Sequence, residues 1–165
     1  MEIKNGVVTK IYDSDCAYNE AIIPDRTTII GQYCANNIIA NKIQLPNSVI
    51  KVSDYAFLDC TNLEEINIPS SVTYIGERAF FNCKNLKKIT LPDNIEYIGP
   101  SAFSGCENLK EIYLPRISDA RLYKTIDFTQ RQTTVTDVVK TLVTGRCHYF
   151  IITHKSLTYN IIILT

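Results

Sequence analysis

The chain has 165 residues, 45% of them apolar and 21% charged, with 17 basic side chains against 17 acidic ones. That length is enough for one domain with a real core. The zero net charge offers no basic patch of the kind that nucleic acid or an anionic membrane selects, so neither partner is expected.

The first elements are short. EIKNGVVTKIY, near the N-terminus, sets Asn5-Gly6 between two β-prone runs, a pairing that predicts a two-residue hairpin. Residues 1–22 are therefore read as an N-terminal capping hairpin. MEIKNGVVTK lacks the apolar stretch of a signal peptide.

From residue 23 the chain repeats. Pro24, Pro46, Pro69, Pro92 and Pro115 are spaced by 22, 23, 23 and 23 residues, and a period of this length is the signature of a solenoid. Three full copies run 45–67, 68–90 and 91–113. IPDRTTIIGQYCANNIIANKIQ, 23–44, is a degenerate copy one residue short. In each copy an L-x-x-I-x-I/L pattern predicts a short strand, with Leu63, Ile66 and Ile68 inward and Glu64, Glu65 and Asn67 outward. Stacked copies would pair these strands into a parallel sheet at roughly 4.8 Å spacing.

A second apolar group (Val49 and Val52, Val72 and Ile75, Ile95 and Ile98) predicts another extended segment on the opposite side. Ala56-Phe57, Ala79-Phe80 and Ala102-Phe103 then set a small residue beside a large ring at every level. Gly76 and Gly99 are expected in a tight bend at positive φ, where the first copy carries Ser53.

After Pro115 the composition changes. Residues 116–165 carry seven basic and three acidic side chains, ten threonines and no proline. The spacing of Val135, Val138, Val139, Leu142 and Val143 predicts a helix closed by Gly145. CHYFIITH and LTYNIIILT, separated by Lys155-Ser156, read as two strands. This α+β segment is expected to cover the last coil as a cap or to begin an extension. Its longest apolar run, IIIL at 161–164, is too short to cross a bilayer.

The repeat pattern LPxSVxxIGxxAFxxCxNLxxIx resembles the BspA-like class of leucine-rich repeat. It does so strongly over 45–115, more weakly over 1–44, and not over 116–165. The resemblance implies a mainly β solenoid with short helical or irregular turns and a parallel sheet on one face. It also implies a protein-binding module of microbial cell-surface or secreted proteins, with adhesion or partner recognition as its role. A structural spacer that displays other domains of a longer surface protein is the alternative.

Cys60, Cys83 and Cys106 recur every 23 residues, and four chemistries could use such a column. A disulfide wants Cβ atoms near 3.8 Å, closer than parallel side chains on adjacent coils stand. Zinc needs convergent ligands. A nucleophile needs a base, and the only histidines, His148 and His154, lie in the tail, with Asp127 and Asp137 the nearest conceivable carboxylate partners. Packing remains, since free cysteine is a small, readily buried hydrophobe with a weak donor. Asn62, Asn85 and Asn108 read as a structural ladder. No enzymatic role, metal or cofactor is expected.

Binding would fall on the outward strand positions. One column runs Lys42, Glu65, Lys88, Glu111; the next runs Glu64, Lys87, Lys110; the third runs Gln44, Asn67, Thr90, Tyr113. The candidate protein-contact face is thus Glu64, Glu65, Asn67, Lys87, Lys88, Thr90, Lys110, Glu111 and Tyr113, on a chain expected to be monomeric. Exposed cross-strand ion pairs without a ligand would give the same alternation of charge.

Overall fold

The structure, a computed structural model, describes residues 1–109, 111–114, 149–154 and 157–163. They form a mainly β solenoid of about four turns, built by two ladders of short parallel strands on opposite sides. Among the described residues the only helical element is a three-residue 3-10 turn, Asp13–Asp15. The helix expected over 135–145 lies outside them.

The first ladder begins with the expected hairpin. β1 (Glu2–Lys4) and β2 (Val7–Lys10) pair antiparallel around Asn5 and Gly6, at φ 50° and 77°, the two positive angles that a tight hairpin turn requires. β2 then pairs in parallel with β5 (Ile29–Ile30), so its inner strand is itself the first rung. β7 (Lys51–Val52), β9 (Tyr74–Ile75) and β11 (Tyr97–Ile98) continue that ladder.

The second ladder also opens with a hairpin, one that the sequence reading misses. β3 (Cys16–Ala17) pairs antiparallel with β4 (Glu20–Ile22) around Tyr18 and Asn19, both left-handed at φ 52° and 63°. Asparagine tolerates that region; tyrosine gives no such hint. β4 pairs in parallel with β6 (Lys42–Gln44), and β6 with β8 (Glu65–Ile66). An amide bond, Lys87 N–H to the Glu64 carbonyl at 3.2 Å, leads on to β10 (Lys88–Thr90). β12 (Glu111–Leu114) then pairs with β10. β13 (Tyr149–His154) and β14 (Leu157–Ile163) form an antiparallel hairpin whose β14 lies parallel to β12.

Between the ladders the core fills level by level. Phe57, Phe80 and Phe103 stack along the axis, with ring centroids 5.1 and 5.4 Å apart. Ala56, Ala79 and Ala102 pack beside them, and Val49, Val52, Val72, Ile75, Ile95 and Ile98 close the first ladder, all buried as their periodicity predicts. In the degenerate copy Cys34 and Ala35 occupy the columns of Ala56 and Phe57, fully buried.

The turn that carries the alanine and phenylalanine has its own ladder. N–H groups of Tyr55, Phe57 and Asp59 donate to the carbonyls of Glu77, Ala79 and Phe81 in the next coil, and Arg78, Phe80 and Asn82 repeat the pattern onto Pro100, Ala102 and Ser104. Two columns per coil are left-handed. One is Tyr33, Tyr55, Arg78 and Ser101; the other is Asn37, Asp59, Asn82 and Gly105.

The expectation of positive φ at Gly76 and Gly99 is therefore corrected, since neither has it. These glycines are required by close approach. A Cβ on Gly99 would stand 2.3 Å from the Glu77 amide nitrogen, and one on Gly76 2.4 Å from that of Asp54. Ser53 in the same column makes the same amide bond to the coil before it, to Ile30 at 2.9 Å, as Gly76 makes to Val52.

Candidate interaction surface

The outward face of the second ladder is set by strand alternation, which buries Ile43, Ile66 and Ile89 and turns their neighbours out. Register brings Lys42 opposite Glu65 and Lys88 opposite Glu111, and between these two pairs the Lys87 amide bond to the Glu64 carbonyl, the counterpart of that from Glu64 to Asn41, keeps the column in step. The line extends one step further than the sequence reading took it, because Glu20 lies opposite Lys42. Its signal was present: Glu20 stands four residues before Pro24, as Lys42 does before Pro46.

Along that line Lys42 Nζ sits 3.7 Å from Glu20 and 3.9 Å from Glu65. In the next column Lys87 pairs with Glu64. Glu65 and Lys87 are nevertheless well exposed, their side chains at 69% and 65% of full accessibility. Each pair at such exposure contributes only a few tenths of a kcal/mol, roughly 0.2–1. The face is therefore charged and solvated, with alternating sign along its first column.

The third column divides. Thr90 is exposed on β10, and Tyr113 lies opposite it in the strand register. Asn67 is instead committed to the frame, for its Nδ2 donates to the Leu45 carbonyl at 3.0 Å and its Oδ1 accepts from the Leu45 amide at 2.9 Å. Lys110 lies outside the described residues; Glu111 is placed by the backbone of β12. Ile22, 64% exposed, heads the column, opposite Gln44.

The cysteine column is buried and does a specific job. Cys83 Sγ donates to the Phe57 carbonyl at 3.2 Å and Cys106 Sγ to that of Phe80 at 3.2 Å, while Cys60 reaches Ala35 at 2.8 Å. Each of these carbonyls also accepts an amide from its own coil, so the thiol from the next coil fills the second lone pair. Burial pushes the Cys34 thiol up to about 12, with the neighbouring Cys60 adding to it. Burial also raises Cys83 well above its usual value, helped by Cys106 and Cys60. Neutral, hydrogen-bonded thiols of this kind are poor nucleophiles.

The serines of the repeat are another structural column that the sequence reading passed over. Ser48 Oγ donates to the Thr27 carbonyl and Ser71 Oγ to that of Val49, each at 2.6 Å. The asparagine ladder is only partly realised. Asn108 Nδ2 donates to Asn85 Oδ1 at 3.1 Å, whereas no such bond links Asn62 to Asn85 among the described residues.

Exposed aromatic chemistry lies away from the charged face. Tyr33 stacks on Tyr55 at 4.9 Å, and the Arg78 guanidinium lies over the rings of Tyr55 and Phe81 at 5.9 and 5.8 Å. On the first ladder Tyr74 stacks on Tyr97 at 4.7 Å, with Lys51 over the Tyr74 ring. Sequence reading overlooked both rows because each column mixes residue types, such as tyrosine with arginine, that only stacking unites.

Stacked coils with an open, polar strand face define a repeat module of the leucine-rich class, which presents a surface. The BspA type leucine rich repeat region model matches residues 8–128 in six copies, and the chain belongs to that family. No curated protein matches the sequence.

Three solved structures are similar. The pneumococcal vaccine antigen PcpA is 27% identical at a TM-score of 0.62, over 66% of this chain and 27% of that one. A leucine-rich repeat protein from Bacteroides capillosus is 26% identical at 0.61, over 65% of this chain and 84% of that one. A leucine rich cell surface protein from Faecalibacterium prausnitzii shares the fold at a TM-score of 0.64 and 22% identity, over 80% of this chain and 36% of that one. The chain thus spans only about a quarter to a third of the first and third of these. Among the described residues no helix is long and apolar enough to cross a membrane.

Proposed function

We propose that this chain is a protein-interaction module of a microbial surface protein, recognising its partner through the outward face of the second ladder. The observation that carries the reading is the column Glu20, Lys42, Glu65, Lys88, Glu111, in strand register from Glu20 to Glu65 and from Lys88 to Glu111, flanked by the Glu64–Lys87 pair. A line of alternating charge suits a partner strip of the opposite phase, which gives register and specificity more than raw affinity. Tyr113 would be the aromatic anchor beside it.

Adhesion and a cell-surface location are part of this proposal. They are supported by family membership and by likeness to a vaccine antigen. The division into a capping hairpin at 1–22, repeats at 23–115 and a cap or extension at 116–165 is likewise proposed. The role is binding, with no catalytic step assigned to any residue.

The test replaces Glu65, Lys88 and Tyr113 together by alanine and measures capture of surface proteins or matrix components by the full chain. Loss of every wild-type partner supports the face, and intact partner binding removes it. A second reading, spacer or display segment, is favoured by the same charges being paired with one another. It predicts that the wild-type chain captures no partner at all.

A further inference from the structure

The charges on the outward face of the second ladder are ordered so that the face fits itself. The β8 rung presents two acidic groups side by side, Glu64 and Glu65, and the β10 rung two basic ones, Lys87 and Lys88. The two rungs are neighbours, joined by the Lys87 amide and the Glu64 carbonyl. Glu65 and Lys87 keep 69% and 65% of their side-chain accessibility, and Glu64 keeps 45%. The ion pair of Glu64 with Lys87 within the chain thus leaves both groups open on their outer side.

We propose that this face docks the same face of a second copy of the chain. The twofold axis would lie in the interface, parallel to the strands and midway between the β8 and β10 rungs. The proposal rests on the reading above that the face binds a protein, and it names that protein. Such a rotation keeps each column over itself and reverses its order. Glu65 then meets Lys88 of the second copy and Lys88 its Glu65, while Glu64 meets Lys87 and Lys87 meets Glu64. One rung further out, Lys42 comes to the register position of Glu111. In the third column Asn67 meets Thr90, both exposed and uncharged. Other registers fit less well. An axis through the β8 rung sets Glu65 on Glu65 and Lys42 on Lys88, and opposed like charges exclude a partner. An axis between the Lys42 and Glu65 rungs keeps opposite signs in the first column but leaves Glu64 against Asn41. Complementarity of this kind fixes register and partner more than affinity. Twisted sheets that meet face to face diverge away from the axis, so contact is concentrated on the two central rungs and the dimer is weak. Each copy occupies the other's face, so association stops at two. The monomer expected from the sequence is the species at low concentration.

Sedimentation equilibrium of the full chain between about 10 µM and about 1 mM tests this, a range that spans weak association. In about 20 mM salt the weight-average mass is expected to rise from 18.7 kDa toward two copies, and in about 500 mM salt to stay near one, because exposed charges are screened. Glu65→Lys or Lys88→Glu alone sets like charges at two symmetric contacts and is expected to weaken association at least about tenfold. An equimolar mixture of the two variants has opposite signs at both contacts and recovers it. Glu107→Lys and Lys84→Glu, at exposed positions outside the strands, change the net charge equally and leave the wild-type behaviour unchanged. A mass that stays at one copy in low salt overturns the proposal. So does growth past two copies, a mixture that fails to recover what its components lost, or an equal loss in the Glu107 and Lys84 variants. Where a face variant loses the wild-type far-UV spectrum, the salt dependence of the wild-type chain decides alone. A chain that stays monomeric yet captures another protein, and loses it with the triple alanine variant, sinks the second copy and leaves the proposed face standing. A chain that does neither sinks both.

Discussion

Cys83 is small enough for its column, and its thiol reaches a carbonyl that alanine could not. A residue type that looked reactive is thus explained by one weak hydrogen bond repeated up the axis. Thr27 is the opposite case. It stands in the column of Val49, Val72 and Ile95, fully buried, and its hydroxyl has no partner among the described residues. Leaving a buried hydroxyl unpaired costs about 1–3 kcal/mol. Thr27→Val has nearly the same shape and restores what the other coils carry, so stability should rise by about 1 kcal/mol. Urea denaturation would register it as a higher midpoint at unchanged slope; an unchanged or lower midpoint would mean that the hydroxyl is satisfied in solution.

At the scale of the coil, glycine and asparagine set how closely levels stack. Gly99→Ala would drive a methyl into the backbone of Glu77 and Gly76, which no rotamer can relieve. The expected loss is about 3 kcal/mol, the upper end for overpacking, read as a lower thermal midpoint. Asn67→Ala deletes two hydrogen bonds to Leu45 and should cost about 1–2 kcal/mol, whereas Thr90→Ala, in the same column and exposed, should cost almost nothing. Equal effects at the two positions would deny Asn67 its structural role. These elements also show what could be read in advance. The coil, its strands, its ring stack and the alternating column were legible because prolines and apolar residues keep a strict interval. The left-handed column of Tyr55, Arg78 and Ser101 was not, since these residues carry no shared chemistry that announces positive φ, whereas the column of Asn37, Asp59, Asn82 and Gly105 is of types that adopt it readily, a signal the sequence reading passed over. The β3–β4 hairpin was hidden in the same way behind Tyr18. Of the candidate face, register and exposure followed from alternation, but the bonds of Asn67 to Leu45 depend on the neighbouring coil's backbone, which a single repeat does not reveal.

At the scale of the whole molecule, the buried thiols couple the core to pH. Cys34 is held up to about 12 against 9.0 for an ordinary thiol, first by burial and then by Cys60. Cys83 is raised well above 9.0 by burial and its two neighbouring thiols, and Tyr74 is raised above 10.0 by burial, Asp54 and Tyr97. Each group therefore keeps its proton in the folded chain at a pH where the unfolded chain has released it. The unfolded state then binds fewer protons, so stability falls as pH rises. For the two thiols the stability is complete below about pH 9 and is lost from there upward, with the window for Cys34 closing near 12. The limiting slope is about 1.4 kcal/mol per pH unit for one thiol, so by pH 10.5 Cys34 has withdrawn on the order of 2 kcal/mol, and Cys83 acts in the same direction. Denaturant titrations at pH 8 and 10.5 under reducing conditions should show that decline. Because Lys and exposed Tyr titrate in the same range, Cys34→Ala and Cys83→Ala isolate the thiols: each variant starts less stable at pH 8 and declines less steeply. Parallel declines in wild type and both variants would mean that the thiols ionise as readily inside the solenoid as outside it, contrary to their burial and their hydrogen bonds to carbonyl oxygens.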